Sequence, residues 1–158
     1  MPTNQRKAAI AVLAASLAIP AEGLYRIAYY DPPHILSICY GHTGPDIIKD
    51  RLYSIGECNA LLTKDMQTAV DAVERCTPGL PVKVAAAFSD AVFNIGPKIV
   101  CDPSKSTAAR LLRAGQYKEA CEQLTRWDRS VVAGISVPLP GLTKRRKEEM
   151  KVCLEGLK

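Results

Sequence analysis

Glu22-Gly23-Leu24, Asp31-Pro32-Pro33 and Ser37-Ile38-Cys39-Tyr40-Gly41-His42-Thr43-Gly44 are the stretches on which the fold of this chain turns. Glu22 closes an uncharged run from Ala8 to Ala21 and opens a polar, aromatic segment with the pattern of a hairpin. Two carboxylates and a short hydroxyl therefore fall inside one supersecondary unit. Cleavage of a sugar acetal needs such a set, because one carboxylic acid must protonate the bridging oxygen while a carboxylate manages water or the ring. The end of an apolar helix would desolvate Glu22 and keep it protonated, and the turn around Asp31 would keep that group hydrated and ionised. On residue types alone, a surface carboxylate at a helix end and a turn former ahead of two prolines explain the pair equally well.

Outward from that segment, the pattern is mainly helical with a small β-lobe. Tyr25 to Tyr30 and Ile35 to Tyr40 have strand character around the Asp31-Pro32-Pro33 turn, with a third strand expected near Arg51 to Tyr53. Ser54-Ile55-Gly56-Glu57 is a capping-box pattern, after which Leu61, Leu62, Met66, Val70 and Val73 recur at helical spacing as far as Cys76. Val82 to Ile95 is apolar nearly all round, as a central buried helix should be, and Gly96-Pro97 stops it. Further helices are expected from a Ser104 cap to Gly115, from Gln116 to Trp127, and from a Thr143 cap to Leu154, ended by Gly156. The expected class is α+β, with a single domain over 1–158. Its parts are an apolar first segment at 8–21, a β-lobe at 22–54, and a linking helix with a helical lobe at 55–158. A polymer would lie in the cleft between the lobes.

Composition narrows the partners. The 158 residues are 47% hydrophobic and 23% charged, which excludes disorder. A net charge of +5 favours polyanionic partners. Against nucleic acid, the basic residues are scattered apart from Lys144-Arg145-Arg146-Lys147, aromatics are only 6%, and no recognition motif is present. That basic run is expected to be a solvated helix face. No cofactor motif, phosphate-cradling loop or Ser-His-Asp arrangement stands out. Cys39-x-x-His42 has half the spacing of a zinc site but no second pair, so no metal is expected. Six cysteines, Cys39, Cys58, Cys76, Cys101, Cys121 and Cys153, are even in number and favour disulfides outside the cytoplasm, with fifteen connectivities open.

The spacing of Glu22, eight residues, Asp31, five residues, Ser37, four residues and His42 resembles the catalytic segment of the phage lysozymes, the endolysins of glycoside hydrolase family 24. Ala86-Ala87-Phe88-Ser89-Asp90-Ala91-Val92-Phe93-Asn94-Ile95-Gly96 is similar to the family's central helix, and Arg126-Trp127 to its Arg-Trp pair. Gly141-Leu142-Thr143-Lys144-Arg145-Arg146-Lys147-Glu148-Glu149 is similar to its C-terminal run. The resemblance implies a lysozyme-like fold and hydrolysis of the β-1,4 bond between N-acetylmuramic acid and N-acetylglucosamine in peptidoglycan, with inversion. Glu22 would be the general acid, and Asp31 with Ser37 would activate water. The family usually has threonine where Ser37 stands, so the hydroxyl is kept but the methyl that restricts its rotamer is lost.

By family position His42, Thr43, Phe93 and Gln123 belong to the saccharide groove. As plain residues, a hydrogen-bonded structural histidine, a core phenylalanine and a solvated glutamine explain three of them as well. Arg126 and Trp127 are expected to give a lobe-fastening salt bridge and packing. In such a fold the expected pairs are Cys39 with Cys58, Cys76 with Cys153 and Cys101 with Cys121. Arg6-Lys7 ahead of Ala8 to Ala21 has the character of a signal sequence, of a first helix, or of the signal-anchor-release segment found among endolysins. Fourteen residues span about 21 Å as a helix against a bilayer core of ~30 Å, so an anchor of this kind would hold weakly and could leave. The implied setting is the host periplasm, after transient association of 8–21 with the inner membrane, and the implied state is a monomer. The alternatives are a lytic transglycosylase, against which Asp31 argues, and a non-catalytic cationic protein that binds peptidoglycan or disrupts membranes.

Overall fold

The computed structural model describes residues 3–158. Helix α1 (Thr3–Ala21) buries Ile10, Ala11, Ala14 and Ala18 on one side. Three of these four are alanines, so the helix can lie close against α3 (Val82–Ile95), its main neighbour, and against α2 (Ile55–Cys76). Arg6 ties the N-terminal end to Glu74 of α2 through bonds of 2.9 and 3.0 Å, and Lys7 reaches Asp71 at 2.9 Å. No helix among the described residues is long and apolar enough to cross a membrane.

Strands β1 (Tyr25–Tyr30), β2 (Leu36–Cys39) and β3 (His42–Thr43) form an antiparallel sheet in that order. Tyr30 pairs with Leu36 around the proline turn, and Ser37 pairs with Thr43 across a tighter turn in which Gly41 takes a positive φ of 77°. The third strand thus falls at His42–Thr43 and not at Arg51–Tyr53. The latter segment runs beside β1 through reciprocal bonds between Arg26 and Tyr53, 2.7 and 2.8 Å long, but extends them into no ladder.

Ser54 and Glu57 close the expected capping box, each accepting from the other's backbone N–H, and α2 runs from there to Cys76. In α3 every residue from Val84 to Val92 is buried, since α1, α2 and α7 (Pro140–Glu155) surround it. Short helices α4 (Lys98–Cys101), α5 (Thr107–Arg113) and α6 (Tyr117–Gln123) follow, the last continuing as a 3-10 turn over Leu124–Arg126. Three helix starts or ends differ from the pattern. Ser106, not Ser104, caps α5, because Ser104 lies in the preceding turn and donates its hydroxyl to Asp102. The helix after Gln116 tightens and stops before Trp127. Helix α7 begins a turn before Thr143, with Pro140 in its first turn, and Thr143 donates to Asp128 at 2.6 Å. A hairpin of β4 (Arg129–Val132) and β5 (Ile135–Pro138) adds a second small sheet that the pattern does not announce. Its turn places Ala133 and Gly134 at φ of 51° and 80°, the doubly positive geometry of tight hairpins.

All six cysteines are paired, as Cys39–Cys58, Cys76–Cys101 and Cys121–Cys153. The first pair matches expectation and the other two replace it. Cys76 ends α2 against α4, which carries Cys101, while α6 and α7 pack together and bring Cys121 to Cys153. Each disulfide therefore pins a contact between neighbouring elements. Peptide mapping under non-reducing conditions should recover these three links. Replacing Cys39 and Cys58 by serine should lower stability to urea by about 3 kcal/mol, the amount expected when a loop of this order is opened in the unfolded chain.

Candidate active site

Glu22 lies one residue beyond α1, its backbone N–H still bonded to the Ala18 carbonyl at 2.8 Å, so its direction is set by the helix. A cleft of about 580 Å³ opens there between the sheet and the helical lobe, with Glu22, Tyr40, Gly41 and Thr43 on one side and Phe93 and Asn94 of α3 on another. A side chain at Gly41 would stand 3.7 Å from the Glu22 carboxylate, so the absence of one keeps the group open to the cleft. The Glu22 side chain keeps 24% of its surface.

Arg145 of α7 donates from Nη1 to Glu22 at 2.6 Å and, from its other edge, to both oxygens of Asp90 on α3 at 2.8 and 3.0 Å. Burial alone would weaken this guanidinium, but Asp90 and then Glu22 outweigh it and hold its proton more firmly than usual. Behind it, Arg146 and Glu149 approach within 2.9 Å with no exposed surface, and Arg146 also donates to Asn94 at 2.7 Å. Burial drives both toward neutrality, Arg146 downward and the Glu149 carboxyl up to about 10, the latter helped by Asp90. The basic run is thus not a solvated face throughout: Lys144 and Lys147 are exposed, and the two arginines between them are core. The lobe-fastening role expected of Arg126 falls to Arg145, since Arg126 is exposed and in no salt bridge among the described residues.

The remaining candidates separate into those in the cleft and those behind it. Thr43 and Phe93 line it. Asp31 folds back on its own turn, accepting from the Ile35 N–H at 2.8 Å. Ser37 is 2% exposed, its hydroxyl donating to the Ile35 carbonyl at 3.3 Å. Gln123 ends α6, half-buried and away from the cleft lining. His42 is buried, with Nδ1 2.8 Å from Asp65 and Nε2 3.0 Å from Asp46. It reaches the cleft only through Asp65, which lines the wall.

Several members of the site carry no signal in the local pattern. The Tyr29 phenol of β1 is pushed up by burial and then by the charges of Tyr25, Asp31 and Glu22. Arg75 and Asp65 of α2 also face the cleft. The overlooked signal is Asp90, a carboxylate within the buried run from Val84 to Val92, which burial obliges to find a cation. Among the described residues no cluster of ligands suited to a metal ion occurs.

Residues 20–149 match the sequence family described as phage lysozyme. The SAR-endolysin of Bacteriophage PS119 is 36% identical over 85% of this chain and 77% of its own length. The SAR-endolysin of Enterobacteria phage P21 is 32% identical over 99% of both. Among solved structures, the muramidase domain of SpmX from Asticaccaulis excentricus superposes with a TM-score of 0.79 at 26% identity, covering 89% of this chain and 94% of that one.

The histidine cluster has a testable pH signature. Burial opposes the charged ring, but the bonds to Asp46 and Asp65 prevail and raise His42, while the bond to His42 lowers Asp46. The His42 contribution is complete below its unfolded value of about 6.5 and disappears as pH rises through the raised folded value. That of Asp46 is complete above about 3.9 and disappears as pH falls through its lowered value. Urea denaturation of wild type and His42→Gln should therefore differ most between about pH 4 and 6.5, and converge in mildly alkaline solution. A gap that widens with rising pH would contradict the assignment.

Proposed function

The chain belongs to the phage lysozyme family and is a glycoside hydrolase of the endolysin type, and on that premise we propose how its residues cleave peptidoglycan. Glu22 is the general acid that protonates the oxygen bridging N-acetylmuramic acid to N-acetylglucosamine. Asp31, with the Ser37 hydroxyl, holds and activates water on the opposite face of the sugar, so the product is inverted. The observation that supports this reading is the seat of Glu22, fixed by a helix end and by Arg145 on the wall of an interlobe cleft. For water to fit, the two carboxyl groups should stand roughly 6.5–9.5 Å apart in the substrate complex. Ser37 has to turn from its bond to Ile35, a rotation that a serine makes more freely than the threonine usual in the family. Thr43 and Phe93 are saccharide contacts, and His42 supports the groove through Asp65.

The names of the SAR-endolysin relatives support a membrane stage, in which residues 8–21 associate with the inner membrane before the protein works in the periplasm. The helix that α1 forms against α3 is then the released state of the same segment. Fractionation of expressing cells tests this: protein confined to the soluble fraction from first synthesis would rule it out.

Digestion of purified peptidoglycan with mass spectrometry of the fragments tests the chemistry. Wild type should release reducing-end muropeptides, with the initial anomer inverted by NMR. Glu22→Gln and Asp31→Asn should each fall by about 10²-fold or more. Anhydro products would make the enzyme a transglycosylase, and undiminished lysis by Glu22→Gln would move the activity to membrane disruption.

A further inference from the structure

Arg145 is shared unequally. Its Nε and Nη2 are both taken by the Asp90 carboxylate, fully buried on α3, and only Nη1 reaches Glu22. A cation 2.6 Å from a general acid is at odds with that role, because it favours the carboxylate over the protonated form. A carboxylate on the other edge of the same guanidinium offsets that field and also stops the planar group from rotating.

We propose that Asp90 is a positioning residue of the reaction, a counter-charge that holds Arg145 in register with Glu22 and moderates its field there. The proposal rests on Glu22 being the general acid. It requires that Asp90 be the charge bonded to the far edge of Arg145, and the surroundings meet that condition. On α7, Glu149 pairs with Arg146 at 2.9 Å and also stands 3.8 Å from Arg145 Nε, but burial and Asp90 push its carboxyl up to about 10, so it brings little negative charge there. Lys144 and Glu148 of α7 share with Arg145 a groove against α1, but Glu148 makes no ion pair with Arg145 among the described residues. On α2, Asp65 is committed to His42, and Arg75 shares the cleft without a bond to Glu22 among the described residues. On the sheet side, Tyr25, Tyr29, Tyr40 and Asp31 make no hydrogen bond to Glu22 among the described residues. Asp90 is therefore the anion placed to balance Arg145.

The sign is specific. Without the Asp90 charge, the field of Arg145 acts on Glu22 uncompensated and the acid loses its proton at lower pH. The pH profile of kcat/KM should be measured for wild type and Asp90→Asn by initial release of reducing ends from purified peptidoglycan, each profile normalised to its own plateau. The alkaline limb of Asp90→Asn should move to lower pH by about one unit, seen as roughly tenfold lower normalised activity above the wild-type midpoint. Arg145→Gln should move the limb the other way, and Asp90→Asn/Arg145→Gln should coincide with Arg145→Gln. A uniform loss with the limb unmoved would reduce Asp90 to a packing role and overturn the proposal, as would a limb moved upward.

If Asp90→Asn or Arg145→Gln does not fold, as circular dichroism would show, the double variant decides by comparison with wild type, since it leaves neither charge buried alone. Its limb should lie above that of wild type, and an unmoved limb would mean that the Asp90–Arg145 pair does not act on Glu22 and overturn the proposal. In the same assay Glu22→Gln separates the two readings. An active Glu22→Gln removes the assigned acid, whereas an inactive one with unmoved limbs in Asp90→Asn removes only the role of Asp90.

Discussion

The architecture depends on one buried guanidinium. Arg145 retains 6% of its side-chain surface and joins the last helix to the central helix through Asp90 and to the start of the β-lobe through Glu22. Such a group is a poor source of net stability, because the cost of removing ions from water is comparable to what their attraction returns. Its effect is geometric. With one partner missing, a charge would be left unpaired in the core at a cost of about 3–5 kcal/mol, so the three elements come together in one arrangement or fold poorly. The residue that fastens the lobes is thereby the residue that aims the proposed acid.

Stability comes from elsewhere. The alanine-rich contact of α1 with α3 and the unbroken buried run from Val84 to Val92 supply dense packing, and three disulfides each join neighbouring elements. Small residues on α1 permit close approach but bring little apolar area. The ion pairs of Arg6 with Glu74 and Lys7 with Asp71 add definition at its N-terminal end. Helix α1 packs against three other helices, α2, α3 and α7. The cysteines restrain the rest of the molecule, and none of them lies on α1.

Much of the fold was legible along the chain because it is written in local physics. The Ser54 to Glu57 capping box, the periodic apolar positions of α2, the all-round apolar character of α3 and the turn at Asp31-Pro32-Pro33 depend on residues within a few positions of one another, and each reappears in the structure. Local signals failed where two uses of one residue competed. Ser104 and Thr143 have the chemistry of helix caps, yet Ser104 bonds Asp102 within its own turn and Thr143 bonds Asp128 across the intervening hairpin. The hairpin from Arg129 to Pro138 was missed because its strands are mostly exposed on both faces and lack the alternation that marks a half-buried sheet.

By itself the sequence determined the α+β class, the order of the main helices and the spacing of Glu22, Asp31, Ser37 and His42, since these follow from periodicity, turn chemistry and short-range pattern. Only the tertiary structure decided that Arg145 and Arg146 leave the solvent while Lys144 and Lys147 stay in it. It alone joined Cys76 to Cys101 and Cys121 to Cys153, and it turned His42 toward two aspartates instead of into the groove. The reason is common to all three. A charge, a thiol or an imidazole is satisfied by whichever partner the packed helices bring within about 3–4 Å, and Arg145 finds Glu22 across 123 residues of chain, a separation on which no local pattern bears.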